Sequence, residues 1–171
     1  MTKSKGKELL VLTQAEVKEF LHYDPLTGFF TWIKSSNWSI KVGSRAQSLT
    51  PNKYIAIGIN KKQHLAHRLA WLYMTGEMPK EFIDHINGDR SDNRFCNLRE
   101  ATRQQNNQNQ KKRHKNSTTG FLGVTKGKQK GFVAKIRSRG KDVYIGSFHT
   151  AEEASRAYLE AKRKLHEFCT I

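Results

Sequence analysis

The first part of the chain alternates short apolar runs with polar turns, a pattern that predicts a small module of mixed helices and strands. Thr13 and Glu16 form a capping box ahead of an amphipathic helix with Val17, Phe20 and Leu21. Apolar and β-branched runs predict strands, and helically spaced leucines predict a core helix that ends at Gly76. These elements are strands at 29–32 and 54–59, a polar loop at 34–53 and a core helix at 65–74.

Residues 82–101 are predicted to form two strands joined by a polar loop. The apolar pair Phe82-Ile83 ends a buried strand, and Asn87-Gly88 is the strongest short turn signal in the chain. After the loop, Leu98–Ala101 can return as the second strand. Asp84 and His85 therefore stand where the first strand meets the turn.

A polar helix is predicted to follow the second strand. Thr102 caps it, Gln105 completes a capping box, and Asn106 lies in its first turns, where its side chain can swing back toward Asp84. Residues 102–120 include no hydrophobic side chain, so this helix gains little from burial. The alternative is that order stops at Thr102, which would remove Asn106 from any site near Asp84.

The last 52 residues predict a three-stranded sheet backed by one helix. Three runs alternate apolar and basic residues, at 121–124, 132–136 and 143–148. Thr150 and Glu153 then cap a helix whose apolar stripe consists of Ala154, Ala157, Tyr158, Ala161, Leu165 and Phe168. The fold class expected for the whole chain is therefore α+β, with a first module of helices and strands over 1–106, a basic linker over 107–119 and the sheet unit over 120–171.

The net charge of the chain indicates what kind of partner it binds. The 171 residues carry 31 Lys and Arg against 15 Asp and Glu, a formal net charge of +16, which favours a polyanion and nucleic acid ahead of a membrane. No apolar run approaches the roughly 18 residues of a spanning helix, and residues 1–8 lack the apolar core of a signal peptide. Two widely separated cysteines do not make a disulfide framework. A reducing cytoplasm is expected.

The positive charge is concentrated after the polar helix. Between Glu100 and Asp142 there is no acidic residue, while twelve residues are Lys or Arg. A charge run is usually a solvated surface, but one-signed charge over this length repels itself unless a polyanion neutralises it. The residues predicted to contact DNA are Lys111, Lys112, Arg113, Lys126, Lys128, Lys130, Lys135, Arg137, Arg139 and Tyr144.

The candidate chemistry lies at Asp84, His85 and Asn106. Carboxylate and amide oxygens suit a hard divalent ion such as magnesium, and a histidine side chain, with an ordinary pKa of about 6.5, can accept a proton at neutral pH. Together they suggest metal-assisted hydrolysis of a phosphodiester. The plainer interpretation is a strand end that meets a turn. His67 has two open interpretations, a phosphate contact or a packed helix residue.

The stretch IDHINGDRSDNRFCNLREAT, with QNN after it, closely resembles the HNH endonuclease family, in the branch common in bacteriophage and homing nucleases. The resemblance implies that Asp84 and Asn106 are metal ligands and that His85 is the general base. It also implies that Asn97 braces the loop and helps to fix the histidine, and that Asn93 is the family's loop asparagine. One divalent ion is expected, magnesium or alternatively manganese. The four-cysteine zinc clamp of some relatives is missing.

Residues 120–171 resemble the DNA-binding domain of plant ethylene-response factors, the APETALA type, through FVAKIR, YIGSF and TAEEASRAY. In that family the sheet lies in the major groove, so Arg137 is expected to read bases and Tyr144 to make an aromatic contact. The chain departs from the plant pattern at Thr125, Gly127 and Gln129, where plant members carry arginines and a tryptophan. The plant sequence preference is therefore not expected here.

The predicted function is metal-dependent cleavage of double-stranded DNA by a phage-encoded, homing-type nuclease that acts as a monomer or weak dimer and needs no small-molecule cofactor. A nick is expected rather than a double-strand break, because one active site cuts one strand and no dimerisation signal is visible. Two alternatives stay open. One is a non-catalytic DNA-binding or regulatory protein that keeps the HNH scaffold, and the other is an RNA-directed nuclease or binder.

Overall fold

The computed structural model describes residues 12–35, 37–111, 113, 117–128 and 130–170. Among these residues it has four helices, ten strands and one short 3-10 turn. In chain order they are α1 (Gln14–Phe20), β1 (Leu21–Asp24), β2 (Phe29–Trp32), β3 (Ser48–Leu49), β4 (Ile55–Ile59), β5 (Lys62–Leu65), α2 (Ala66–Thr75), β6 (Phe82–His85), the 3-10 turn (Phe95–Asn97), β7 (Leu98–Ala101), α3 (Arg103–Gln108), β8 (Val124–Lys126), β9 (Phe132–Ser138), β10 (Lys141–Phe148) and α4 (Ala151–Leu165). The expected α+β fold, with small antiparallel sheets and a three-stranded sheet packed on one helix, is confirmed.

The chain divides into two compact units, and the first comprises residues up to 80 together with 90–98. It contains the antiparallel β1–β2 pair and the antiparallel β3-β4-β5 sheet, whose β4 contacts helix α2. The predicted capping box at Thr13 is present and begins α1, and Gly76 ends α2 in a left-handed conformation. Inside this unit the Tyr23 hydroxyl donates to the Asn93 carbonyl at 2.7 Å, which ties the 90–98 loop to β1.

Three strands of this unit were not predicted, and two predictions were wrong. Leu21 lies in β1 and not on the helix, because α1 ends at Phe20. The predicted polar loop at 34–53 contains the strand β3. Its sequence shows no strand pattern, and pairing with β4 supplies its backbone hydrogen-bond partners. Strands β1 and β5 carry His22, Asp24, Lys62 and Gln63, so their pattern lacks the apolar run on which the prediction depended.

The second unit comprises residues 81–89 and everything from 99 onward. It begins with β6, which forms a two-stranded sheet with β7 and has α3 packed beside it. Helix α3 starts at the predicted capping box of Thr102 and Gln105, so the alternative that order stops at Thr102 is wrong. The helix is only six residues long and buries none of them. The predicted domain limits at 106 and 119 concern independent folding and stay predictions.

The rest of the second unit is a three-stranded antiparallel sheet in the order β10-β9-β8, with α4 across one face. Alternate residues of β9 are buried against α4, and the residues between them point to the open face. The buried core between sheet and helix consists of Val124, Ala134, Ile136, Ala154 and Tyr158. The sheet and helix therefore confirm the predicted arrangement of this segment.

The details of this segment correct three expectations. The first strand begins at Val124 and not at 121, and Phe121 and Leu122 pack at the edge of the core. The predicted apolar stripe of α4 is wrong at Phe168, because the helix ends at Leu165. The stripe also missed Lys162, which is almost fully buried and donates from Nζ to the Gln110 carbonyl oxygen.

In the parts of the chain that the structure describes, α4 is the longest helix, and none combines the length and apolar composition needed to cross a bilayer.

Candidate active site

Asp84 lies at the centre of a buried polar cluster in the second unit. The residue is 5% exposed and belongs to β6, where the strand approaches the turn of Asn87-Gly88. Its Oδ2 accepts hydrogen bonds from Nε of Arg99 at 2.9 Å and from a terminal nitrogen of Arg99 at 2.8 Å. This is a charge-assisted pair with both donors on one oxygen, in a place where water screens it little.

Asn109, which caps the C-terminus of α3, supplies the second contact to Asp84. Its Nδ2 lies 3.1 and 3.2 Å from the two carboxylate oxygens of Asp84, 2.9 Å from the carbonyl oxygen of His85 and 3.2 Å from that of Ile86. Four acceptors around one amide nitrogen settle which end of the side chain faces the strand. Asn109 is 4% exposed, so it joins α3 to β6 through a buried polar contact.

His85 stands beside Asp84 and is also 5% exposed. Its carbonyl oxygen accepts from the Gly88 amide at 2.8 Å as well as from Asn109. These bonds fix the backbone of the strand end and the turn, and so the position from which the imidazole projects. The structure therefore keeps the Asp84-His85 pair on an ordered backbone.

Asn106 and Asn97, the other predicted catalytic residues, occupy different surroundings. Asn106 is half-buried in the first turn of α3, and its backbone N–H donates to the Thr102 carbonyl at 2.9 Å. The side chain that reaches Asp84 in this structure is that of Asn109, three residues later. Asn97 is buried in the first unit, where its Nδ2 donates to the Asp92 carbonyl at 2.9 Å. That bond lies within the 90–98 loop.

Asn93 and His67, the two other residues considered for a site, lie in the first unit. Asn93 is 3% exposed and donates from Nδ2 to the Ser91 carbonyl at 3.2 Å. His67 is buried on α2 with its ring 5.2 Å from that of Tyr54. Its surroundings are therefore those of a packed helix residue, which is one of the two interpretations of the sequence.

The predicted DNA-contact residues of the sheet unit are exposed. Lys135 and Arg137 alternate with buried Ala134 and Ile136 along β9, and Tyr144 of β10 is the cross-strand neighbour of Lys135. We call Lys135, Arg137 and Tyr144 the open face. Arg137 pairs with Asp142 at 3.5 Å, but both side chains are largely exposed, so the pair holds the guanidinium weakly.

The other cations predicted to contact DNA border the sheet or precede it. Lys126 ends β8, Lys128 and Lys130 lie between β8 and β9, and Arg139 lies in the β9–β10 turn with a positive φ of 49°. Lys111 and Arg113 donate to the carbonyl oxygens of Thr170 and Ser117, each at 3.4 Å. Lys112 lies outside the described residues.

Residues after α4 belong to the Asp84 cluster, and sequence reasoning missed them. The Nη2 atom of Arg99 that donates to Asp84 also donates to the carbonyl oxygen of Phe168, at 2.7 Å. The Arg99 guanidinium lies 4.1 Å from the centre of the Phe168 ring. Thr170 Oγ1 lies 2.8 Å from both the Ile86 carbonyl and Oδ1 of Asn109. No local signal in the sequence indicates these contacts, because they join residues 61 to 84 positions apart.

Lys162 is the titratable group beside this cluster whose ionisation the structure shifts. Burial is the main cause that lowers the pKa of its ammonium group; the electrostatic interaction with Cys169 raises it, and that with Lys111 lowers it further. Its hydrogen bond to the Gln110 carbonyl anchors the residue that follows Asn109 to α4. The end of α3 is thereby held to the helix of the sheet unit.

The donor set around Asp84 fits a hard divalent ion in its chemistry. Two carboxylate oxygens and two carbonyl oxygens surround the position that Nδ2 of Asn109 occupies. Among the described residues, no three His, Cys, Asp or Glu side chains gather as a metal site. Amide and carbonyl oxygens, water or a bound phosphate would therefore have to complete the coordination of an ion at Asp84.

The segment that contains Asp84 is similar to part of a known protein family. Residues 64–108 match the model of the family described as HNH endonuclease. Over 145 residues the chain is 29% identical to the uncharacterized HNH endonuclease L560 of Acanthamoeba polyphaga mimivirus. The aligned region covers 82% of this chain and 73% of that protein.

A solved structure, described as DNA binding and cleavage by the HNH homing endonuclease I-HmuI, is similar at a TM-score of 0.42 and 25% identity. The match covers 53% of this chain and about half, 51%, of that one. Asp84, His85, Asn97 and Asn106 all lie inside the family segment, whereas Asn109 follows it. Residues 64–108 of this chain are thus similar to HNH endonucleases.

Proposed function

We propose that the protein is a divalent-metal-dependent DNA endonuclease of the phage or homing type that nicks duplex DNA. The observation that carries the proposal is the Asp84-His85 pair on an ordered strand end, with α3 packed beside it, inside the segment that matches HNH endonucleases. The net charge of +16 supports a nucleic-acid substrate.

In this mechanism the chain's own residues bind, orient and transfer a proton. Asp84 and Asn106 would hold one magnesium or manganese ion, which when bound supplies positive charge to the phosphate and to the departing oxygen. His85 takes the proton from the attacking water. Asn97 braces the loop between the strands. Asn109 keeps the strand end in place through its bonds to Asp84 and to two carbonyl groups.

Conversion of supercoiled plasmid to the open circle tests the proposal. Wild-type protein is expected to nick the plasmid with Mg²⁺ or Mn²⁺ and to leave it intact with EDTA, and Asp84→Asn is expected to remove the activity. Retained DNA binding without cleavage under any metal condition would favour the non-catalytic alternative. Preferential cleavage of RNA in a competition at physiological salt would favour the RNA-directed alternative.

The two helix asparagines are predicted to respond differently to aspartate. Asn106→Asp keeps an oxygen ligand, so magnesium-dependent nicking is expected to persist. Asn109→Asp loses the donor to Asp84 and places a second carboxylate against it, which is expected to cost about 1–3 kcal/mol of stability and to shift the magnesium titration. Thermal unfolding and the magnesium midpoint of nicking measure both effects. If Asn109→Asp unfolds and titrates like the wild type, the amide is not the donor that the structure describes.

The sheet unit is proposed to supply DNA affinity through its open face, as the resemblance to the ethylene-response-factor domain suggests. Replacing Lys135 and Arg137 by alanine is expected to weaken binding and to flatten the plot of log affinity against log salt by about 0.9 for each phosphate that the variant no longer neutralises. The control is Lys164→Ala, an exposed lysine on α4 that pairs with Glu160. Equal salt slopes for the double variant and the wild type would contradict the assignment of this face.

A further inference from the structure

The segment that follows α4, residues 166–170, is ordered against the Asp84 cluster by its own bonds. The His166 amide donates to the Lys162 carbonyl at 3.0 Å, and its buried ring nitrogen Nε2 lies 2.9 Å from the Arg137 carbonyl. The backbone N–H of Cys169 donates to the His166 carbonyl at 3.0 Å. The segment is therefore a fixed turn that ends beside β6.

This segment reaches Asp84 by two routes. Through Phe168 it holds Arg99, with the carbonyl bond on one nitrogen and the aromatic ring against the guanidinium face. Through Thr170 it holds Oδ1 of Asn109, which leaves Nδ2 directed at the carboxylate of Asp84. Both routes end on the carboxylate, so the segment determines how open that carboxylate is to another cation.

The positive charge of Arg99 beside Asp84 affects how strongly Asp84 can bind a metal ion. The Arg99 guanidinium already supplies the positive partner of Asp84, with two of its nitrogens within 3 Å of one oxygen. A divalent ion arriving at the same carboxylate would meet that fixed positive charge and the amide hydrogens of Asn109. Its apparent affinity is the intrinsic affinity multiplied by the fraction of molecules in which Asp84 is released, so it is low when that fraction is small.

We propose that residues 166–170 are a positioning element of the metal site, which holds Arg99 and Asn109 on Asp84 and thereby lowers the affinity of Asp84 for a divalent cation. The inference rests on the proposed function, because it concerns the same carboxylate. Phe168 and Thr170 act through Arg99 and Asn109 and do not touch the reacting atoms. Loosening them raises metal affinity, whereas loosening an ordinary structural contact would lower it.

Binding of Mn²⁺ to the full-length, DNA-free protein, followed by electron paramagnetic resonance, tests the proposal. Arg99→Gln is expected to tighten binding by about tenfold or more, and Phe168→Ala and Thr170→Val by about three- to fivefold each. In the Arg99→Gln background, Phe168→Ala is expected to add nothing, because its effect passes through the guanidinium. Thermal unfolding of each variant shows that the chain is folded.

Two matched variants serve as controls. Leu165→Ala removes a side chain that is 41% exposed at the end of α4, and Thr118→Val removes an exposed hydroxyl; neither is expected to change the Mn²⁺ affinity. Asp84→Asn identifies the site, because the binding measured in the wild type is expected to disappear.

Unchanged or weaker Mn²⁺ binding in folded Phe168→Ala and Thr170→Val, with Asp84-dependent binding in the wild type, overturns this inference and leaves the proposed function standing. Absence of Asp84-dependent binding in every variant, Arg99→Gln included, overturns both. Additive effects of Phe168→Ala and Arg99→Gln would contradict the route through the guanidinium.

Discussion

His85→Ala is expected to reduce plasmid nicking by about 10²- to 10⁴-fold while DNA affinity stays within a few-fold of the wild type. The imidazole is assigned the proton of the attacking water, so its loss removes general-base catalysis and leaves the basic surfaces intact. His85 is 5% exposed, and truncating it to alanine leaves a cavity about the size of the ring. Added imidazole is therefore expected to restore part of the rate, which single-turnover nicking measures.

The control for this prediction is His22→Ala, which removes an exposed histidine of β1. It is expected to nick at the wild-type rate. A loss of DNA affinity as large as the loss of cleavage would count against His85 as the base, and so would a full rate in a folded His85→Ala protein.

Gly123→Ala is expected to cost about 2–5 kcal/mol of stability. Gly123 has a φ of +71°, and a Cβ placed there would lie 2.0 and 2.1 Å from two ring carbons of Tyr158. The left-handed backbone costs an alanine about 1–2 kcal/mol, and forcing the buried ring aside costs about 1–3 kcal/mol. Urea unfolding followed by circular dichroism measures the loss.

Gly140→Ala separates the two causes. Gly140 has nearly the same backbone, with a φ of +78°, but no atom of the described residues lies within 4 Å of its added Cβ, chain neighbours aside. It is therefore expected to show only the backbone cost of about 1–2 kcal/mol. Equal losses of stability at the two positions would mean that Tyr158 does not pack on Gly123 as described.

The features predicted correctly from sequence are those that local chemistry determines. Each of the three capping boxes depends on a threonine and on a glutamate or glutamine three residues later, and all three begin helices in the structure. Alternation of apolar and basic residues likewise predicted β9 and its neighbour β10. By contrast, β1 and β5 carry too many polar residues to show a strand pattern, and pairing with a neighbouring strand stabilises them.

The candidate site shows the same division. Asp84 and His85 are adjacent in the sequence and next to a turn signal, so their pattern is visible without a fold. Arg99, Asn109 and Thr170 are not, because their contacts with the Asp84 cluster span 15, 25 and 61 residues respectively. Helix α3 illustrates the physical reason. It has no apolar face, so polar contacts that only the folded chain supplies hold its end to β6.

The proposed function depends most on a divalent cation bound to Asp84 next to a DNA phosphate. Anomalous scattering from Mn²⁺ in crystals of the His85→Ala protein with duplex DNA measures this directly, because the variant is expected to hold uncut substrate. The proposed function predicts one manganese peak within coordination distance of an Asp84 oxygen and of a phosphate oxygen. A peak elsewhere, or DNA bound with Asp84 still paired to Arg99 and no manganese beside it, would contradict it.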